Sequence, residues 1–121
     1  MFGATKSFSG LQFHFHAGSE HTVDGKRMDL EMHTVHTPTD GTTGLNGFAY
    51  SAVGVMFSVQ DYTAKLTAAE QMVIDTFFET LDLTNTSDPK VNLVTYGDLL
   101  TMVDTDNRWV YKGSVTTPPC A

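Results

Sequence analysis

The stretch LQFHFHAGSEHTVDGKRMDLEMHTVH, residues 11–36, decides the fold and carries all five histidines of the chain. Residues 11–16 alternate in character, setting Gln12, His14 and His16 on one face of a strand and Leu11, Phe13 and Phe15 on the other. Asp24-Gly25 is a two-residue hairpin signal with strand-like sequence on both sides. Residues 29–36 alternate again, with Glu31, His33 and Val35 on one face and His36 on the other. The segment reads as a β-hairpin whose two phenylalanines enter a core. Three explanations compete for its histidines: a metal site, a pH-sensing patch, or chance enrichment in an ordinary sheet.

Outward from the hairpin, PTDGTTGLNG (38–47) is a turn-rich loop, and FAYSAVGVMFSV (48–59) is apolar on both faces, as a central, fully buried strand would be. The period then changes. TAAEQMVIDTFFETL (67–81) opens with a capping box, Thr67 and Glu70, and places Val73, Ile74, Phe77, Phe78 and Leu81 on one stripe. It predicts an amphipathic helix packed on the sheet. TNTSDPK (84–90) is a loop, TYGDLLTMV (95–103) holds a short helical turn, and RWVYKGSV (108–115) predicts a strand. Thr116-Thr117-Pro118-Pro119 ends regular pairing, because neither proline can donate to a ladder. The expected fold is a sheet-dominated α+β domain with one amphipathic helix, without repeat, low-complexity tract or linker.

Composition narrows the function classes. The 121 residues are enough for one domain with a real core, and 40% apolar against 17% charged residues describes a globular chain. A net charge of -7 with no cluster of Lys or Arg argues against nucleic acid as a partner. No apolar run approaches a membrane span, and MFGATKSFSG does not read as a signal peptide. The single cysteine, Cys120, cannot form an internal disulfide. Asn85-Thr86-Ser87 matches a glycosylation sequon, which has meaning only in a secreted chain. Localisation stays open, with Cys120 and Asn85 leaning toward a secreted parent protein.

Strand geometry puts His14 and His16 about 7 Å apart above one face. If the hairpin keeps its register from Asp24-Gly25 without a bulge, opposed residue numbers sum to 49, and His16 faces His33 with Cβ atoms about 5 Å apart. Three imidazoles from two strands then converge, a triangle that can bind zinc and leave one tetrahedral position open. Spacing alone leaves the metal and the accidental readings both standing. The neighbours add weight: Gln12 beside His14 and Glu31 beside His33 are acceptors for the second ring N–H that a ligating histidine donates. A buried Glu31 without such a partner would be costly.

QFHFH, SEHTVDGKR, LEMHTVH and the C-terminal GSVTTPPC resemble the α-class carbonic anhydrases, in that order and at workable separations. SAVGVMFSV resembles that family's buried strand, and WVYKGS the approach to its Thr-Thr-Pro-Pro loop. The resemblance implies a twisted, mainly antiparallel sheet and a zinc enzyme that hydrates carbon dioxide reversibly to bicarbonate and a proton through a zinc-bound hydroxide. It implies His14, His16 and His33 as zinc ligands, with His21 and His36 structural; a hydrogen bond to Tyr111 is one way in which His21 could be satisfied. Thr116 would accept a hydrogen bond from the hydroxide and pass its own proton toward Glu20. Val35, Ala52 and Val115 match the apolar wall for carbon dioxide, and Thr117 a residue near departing bicarbonate. Taken singly, Glu20 could equally be a solvated loop carboxylate, Thr116 a turn residue, and the three apolar residues plain core.

The departures from the family bear on function. Residues 1–121 correspond to a single partial domain, its central part, without the N-terminal region that supplies a proton-shuttling histidine or the strands beyond Cys120. Proton release would then rely on solvent or buffer, which predicts slow turnover. Exposed sheet edges would favour self-association. The alternative to an active enzyme is a non-catalytic carbonic anhydrase-related binding module, or an inactive fragment of a longer enzyme. The related modules typically lose a ligand histidine, whereas this chain keeps all three.

Overall fold

The structure is a computed structural model, and it describes residues 7–39, 49–60, 66–88, 90–91 and 94–120. The chain divides into two compact units, Met1–Thr63 and Ala64–Ala121. The loop expected at 38–47 lies mostly outside the described residues.

The first unit is a sheet. Strands β1 (Phe8–Ala17), β4 (Leu30–Pro38) and β5 (Ser51–Phe57) form an antiparallel sheet in the order β1-β4-β5. Between β1 and β4, the short strands β2 (Thr22–Val23) and β3 (Lys26–Arg27) make a separate two-stranded hairpin. Its turn is Asp24-Gly25, with φ of 50° and 75°, the left-handed pair that a type I′ turn requires.

The register of the main pair differs from expectation. In the inner hairpin Thr22 faces Arg27, so residue numbers sum to 49 as predicted. In β1–β4 they sum to 47, and His14, not His16, stands across from His33. The cause is local. Gly18 N–H donates to Asp29 C=O (2.8 Å) and Ser19 N–H to Met28 C=O (3.0 Å), which carries the lower register up to Ser19. Glu20 and His21 are then two residues with no counterpart on the other arm. Gly18 takes φ of +74°, and buried Ser19 fastens the jog by donating from Oγ to His21 C=O while accepting from Met28 N–H. Because strand faces alternate with period two, a two-residue excess leaves every side chain on its predicted face.

Two expectations about burial are corrected. The segment around β5 is not a central, fully buried strand: β4 is central, and no described residue pairs with the outer edge of β5, where Ala52, Val53 and Gly54 are exposed. Phe13 does not enter a closed core either. It is 39% exposed on the face opposite the histidines, beside exposed Leu11 and Val53, while Phe15 is half-buried. An apolar strand is buried only by what covers it, and alternation alone does not supply the cover. The core of this unit is Met28, Met32 and Val55 with the buried polar residues Ser19, Glu31 and Thr34.

The second unit is helical. α1 (Ala68–Glu79) starts at the predicted capping box, in which Thr67 N–H donates to Glu70 Oε2 (2.7 Å) and Glu70 N–H to Thr67 Oγ1 (3.2 Å). It contacts α2 (Tyr96–Met102), the expected helical turn, and buries Phe77 and Leu81 with Leu99. Residues 108–115 do not form the expected strand. They run without regular structure, with Trp109 83% exposed, because no described residue offers them a ladder. The Pro118–Pro119 bond is cis, and Cys120 N–H closes the turn on Thr117 C=O at 2.8 Å.

Candidate metal centre

One face of the β1–β4–β5 sheet gathers the chemistry. Opposed pairs across β1 and β4 run Gln12–Val35, His14–His33 and His16–Glu31, so all six side chains share that face. Ring centroids lie 4.9 Å apart for His14–His16, 5.4 Å for His14–His33 and 4.7 Å for His16–His33. One nitrogen from each ring can be chosen so that all three lie within 4.8 Å of one another.

The hydrogen bonds decide which nitrogens those are. His14 Nδ1–H donates to Gln12 Oε1 at 2.9 Å, which leaves the lone pair on Nε2. His33 Nε2–H donates to Glu31 Oε1 at 3.0 Å, which leaves the lone pair on Nδ1. Buried His16 Nε2 has no hydrogen-bond partner. A buried ring nitrogen without a partner, facing two imidazoles whose outer nitrogens are engaged, is costly unless a cation fills the gap. The residues therefore fit a metal: three imidazole nitrogen donors within 4.8 Å of one another, two of them with their tautomers fixed from outside. Burial holds the His14 imidazole below its usual pKa, and the nearby His16 and His33 rings push the same way, which favours the neutral, ligating form.

Glu31 is the hub of the support. It is 1% exposed, yet its carboxylate accepts from His21 N–H (2.9 Å, on Oε2), from His21 Nδ1–H (2.5 Å, on Oε1) and from His33 Nε2–H. Burial alone would raise its pKa, but the backbone donation from His21 and the two ring donations outweigh it and bring the carboxyl to about 2. His21 thus finds a partner in Glu31 for its backbone N–H and its Nδ1–H, a contact the sequence reading did not foresee. The two looped-out residues of the hairpin both turn to this site. Glu20 Oε2 lies 3.5 Å from His16 Nε2 and 3.6 Å from His33 Nδ1, beside the gap between the rings. His36, on the other face, places Nδ1 3.3 Å from Ser51 C=O, in keeping with a structural role.

Of the remaining predicted residues, Val35 faces both Gln12 and Ala52, so Val35 and Ala52 border the histidines on one face. Val115, Thr116 and Thr117 belong to the second unit, in its exposed C-terminal segment.

Three histidines converging on an antiparallel sheet, with carboxamide and carboxylate acceptors behind two of them, form a candidate metal site of the kind seen in zinc proteins. The sequence model of the eukaryotic-type carbonic anhydrases matches residues 2–121, and the chain belongs to that family. It is 35% identical over 111 residues to a carbonic anhydrase of Klebsiella pneumoniae, covering 91% of this chain and 38% of that protein. Against a carbonic anhydrase of Nostoc sp. it is 31% identical over 122 residues, covering 98% and 39%. Among solved structures, the α-carbonic anhydrase of Thermovibrio ammonificans in complex with sulfanilamide matches with a TM-score of 0.63 and 29% identity, over 96% of this chain and 44% of that one. The chain spans about two fifths of the length of these curated relatives.

Proposed function

We propose that this chain carries the metal centre of a zinc-dependent carbonic anhydrase, which converts carbon dioxide and water reversibly to bicarbonate and a proton. His14 Nε2, His16 Nε2 and His33 Nδ1 would hold the zinc, with Gln12 and Glu31 fixing two of the rings. The observation that carries the reading is the convergence of three imidazole nitrogens, among them the buried His16 Nε2, which makes no hydrogen bond. A zinc ion bound there supplies Lewis-acid activation of water for attack on carbon dioxide.

The chain's own residues have the remaining roles. Gln12 and Glu31 keep the ligand nitrogens deprotonated and aimed. Glu20, at the edge of the triangle, accepts proton density from the group that orients the attacking oxygen. By the match of the Thr-Thr-Pro-Pro segment to the family, Thr116 would be that group and Thr117 would meet the departing bicarbonate. Val35 and Ala52, adjacent on the histidine face, would offer carbon dioxide an apolar wall, and the match to the family adds Val115 to it. All of these residues belong to a single partial domain of the family.

The test is zinc stoichiometry and carbon dioxide hydration on the purified chain beside a His33→Ala variant. One zinc per chain, lost in the variant, together with hydration above the buffer rate, is the expected result. A folded chain without zinc removes the reading. Zinc without hydration leaves a metal-binding module of the same fold.

A further inference from the structure

We propose that Gly54 is a positioning residue of the metal centre, because its missing side chain leaves the space in which the Glu31 carboxylate holds His33. The inference rests on the reading of His14, His16 and His33 as metal ligands. Gly54 lies on β5 directly across from His33, on the histidine face. A methyl group at Gly54 would stand 2.9 Å from Glu31 Oε1 and 3.6 Å from His33 Cδ2. The first distance is too short to persist, and the atom it meets is the one that accepts from both His33 Nε2–H and His21 Nδ1–H. The backbone does not ask for glycine here. Positive φ among the described glycines occurs at Gly18 and Gly25, so Gly54 has a conformation that alanine adopts without strain.

Glycine within a strand weakens it, having no side chain to pack and more freedom to lose on folding. A purely structural view therefore expects Gly54→Ala to be neutral or stabilising. The carboxylate view expects a specific defect. The Glu31 side chain is flexible at its end, so it moves aside before the backbone does, and its hydrogen bonds to the two histidines lengthen. The fold survives while His33 loses the acceptor that fixes its tautomer.

The experiment compares the unsubstituted chain with Gly54→Ala, Glu31→Ala and the double variant. Zinc affinity is measured by competition with a chromogenic chelator. In the metal-free chain, the His21 backbone amide and the His33 Nε2–H proton are followed by NMR. Gly54→Ala is expected to weaken zinc binding by about 10- to 100-fold, the range for losing an outer partner of a ligand. In the Glu31→Ala background it should add no more than about 2-fold, because the group it collides with is gone. The His21 and His33 signals should shift in Gly54→Ala in the direction they shift in Glu31→Ala. Unchanged affinity and unchanged signals overturn the proposal, as does a Gly54→Ala defect that persists in full without Glu31. If the unsubstituted chain takes up no zinc, the ligand reading fails, and the metal-free signals still decide for or against Gly54. If Gly54→Ala unfolds, recovery of folding in the double variant supports the collision, and failure to recover overturns it.

Discussion

Glu31→Gln should remove one large acid-sensitive contribution to the stability of the chain. Glutamine keeps the size and one acceptor oxygen, but it removes the charge to which His21 N–H, His21 Nδ1–H and His33 Nε2–H all donate. The Glu31 carboxyl sits at about 2 against an ordinary value of 4.5. At about 1.4 kcal/mol for each pH unit, that displacement is worth about 3 kcal/mol of folding free energy. The sign follows from proton binding. The folded state holds its carboxylate deprotonated at pH values where the unfolded chain already takes up a proton, so stability rises with pH. The contribution is complete above about pH 4.5 and is lost as pH falls toward 2. Urea unfolding of the metal-free chain and of Glu31→Gln, run from pH 7 down to pH 2.5, measures it directly. Two curves separated by about 3 kcal/mol at pH 7 and converging below pH 4.5 are expected. A gap that stays constant across this range would refute the reasoning, since the carboxylate's charge would then contribute nothing to the fold.

Gln12→Ala removes the acceptor of His14 Nδ1–H, a single contact at 2.9 Å. Zinc affinity should fall by about 10-fold or more, read by the same chelator competition, with far-UV circular dichroism unchanged. Thr67→Ala removes the hydroxyl that accepts from Glu70 N–H, one half of the α1 capping box, and should lower stability by about 1 kcal/mol in urea, without effect on zinc affinity.

How far the sequence discloses the molecule depends on whether the signal is local. Asp24-Gly25 specifies its turn through backbone φ alone, and Thr67 with Glu70 specifies a helix start through two hydrogen bonds three residues apart; both appear where the pattern puts them. The faces of the histidine strands are equally local, since alternation needs no knowledge of the partner. The register is not. It depends on Glu20 and His21 leaving the ladder, which Gly18 and Ser19 enforce through contacts to the other arm, and only the glycine and serine before the acidic residue hint at a break. Burial is less legible still. Phe13, Val53 and the segment 108–115 have strand-like character, but no cover or ladder for them exists among the described residues. Gly54 could have been suspected as a lone glycine in an apolar strand, where close approach by another group is a standing reason for its presence.

The two irregularities of β1 explain why the site has its particular extent. At one end the excess is two residues, Glu20 and His21, an even number that keeps His14, His16 and His33 on one face while adding a carboxylate and an imidazole to that face's edge. At the other end the register slips by one between Gly10 and Gln12, with Leu11 as the extra residue. An odd excess reverses the alternation, so upstream of Gln12 the residues that would continue the histidine face are turned to the other side: Gly10 stands opposite His36, not opposite a member of the site. The histidine face therefore stops at Gln12, the residue that accepts from His14 Nδ1–H. Had the inner excess been odd, His14 and His16 would lie on the face opposite His33, and the three imidazoles could not converge. The even excess at Glu20 and His21, more than the number of histidines, is what brings these imidazoles to one face.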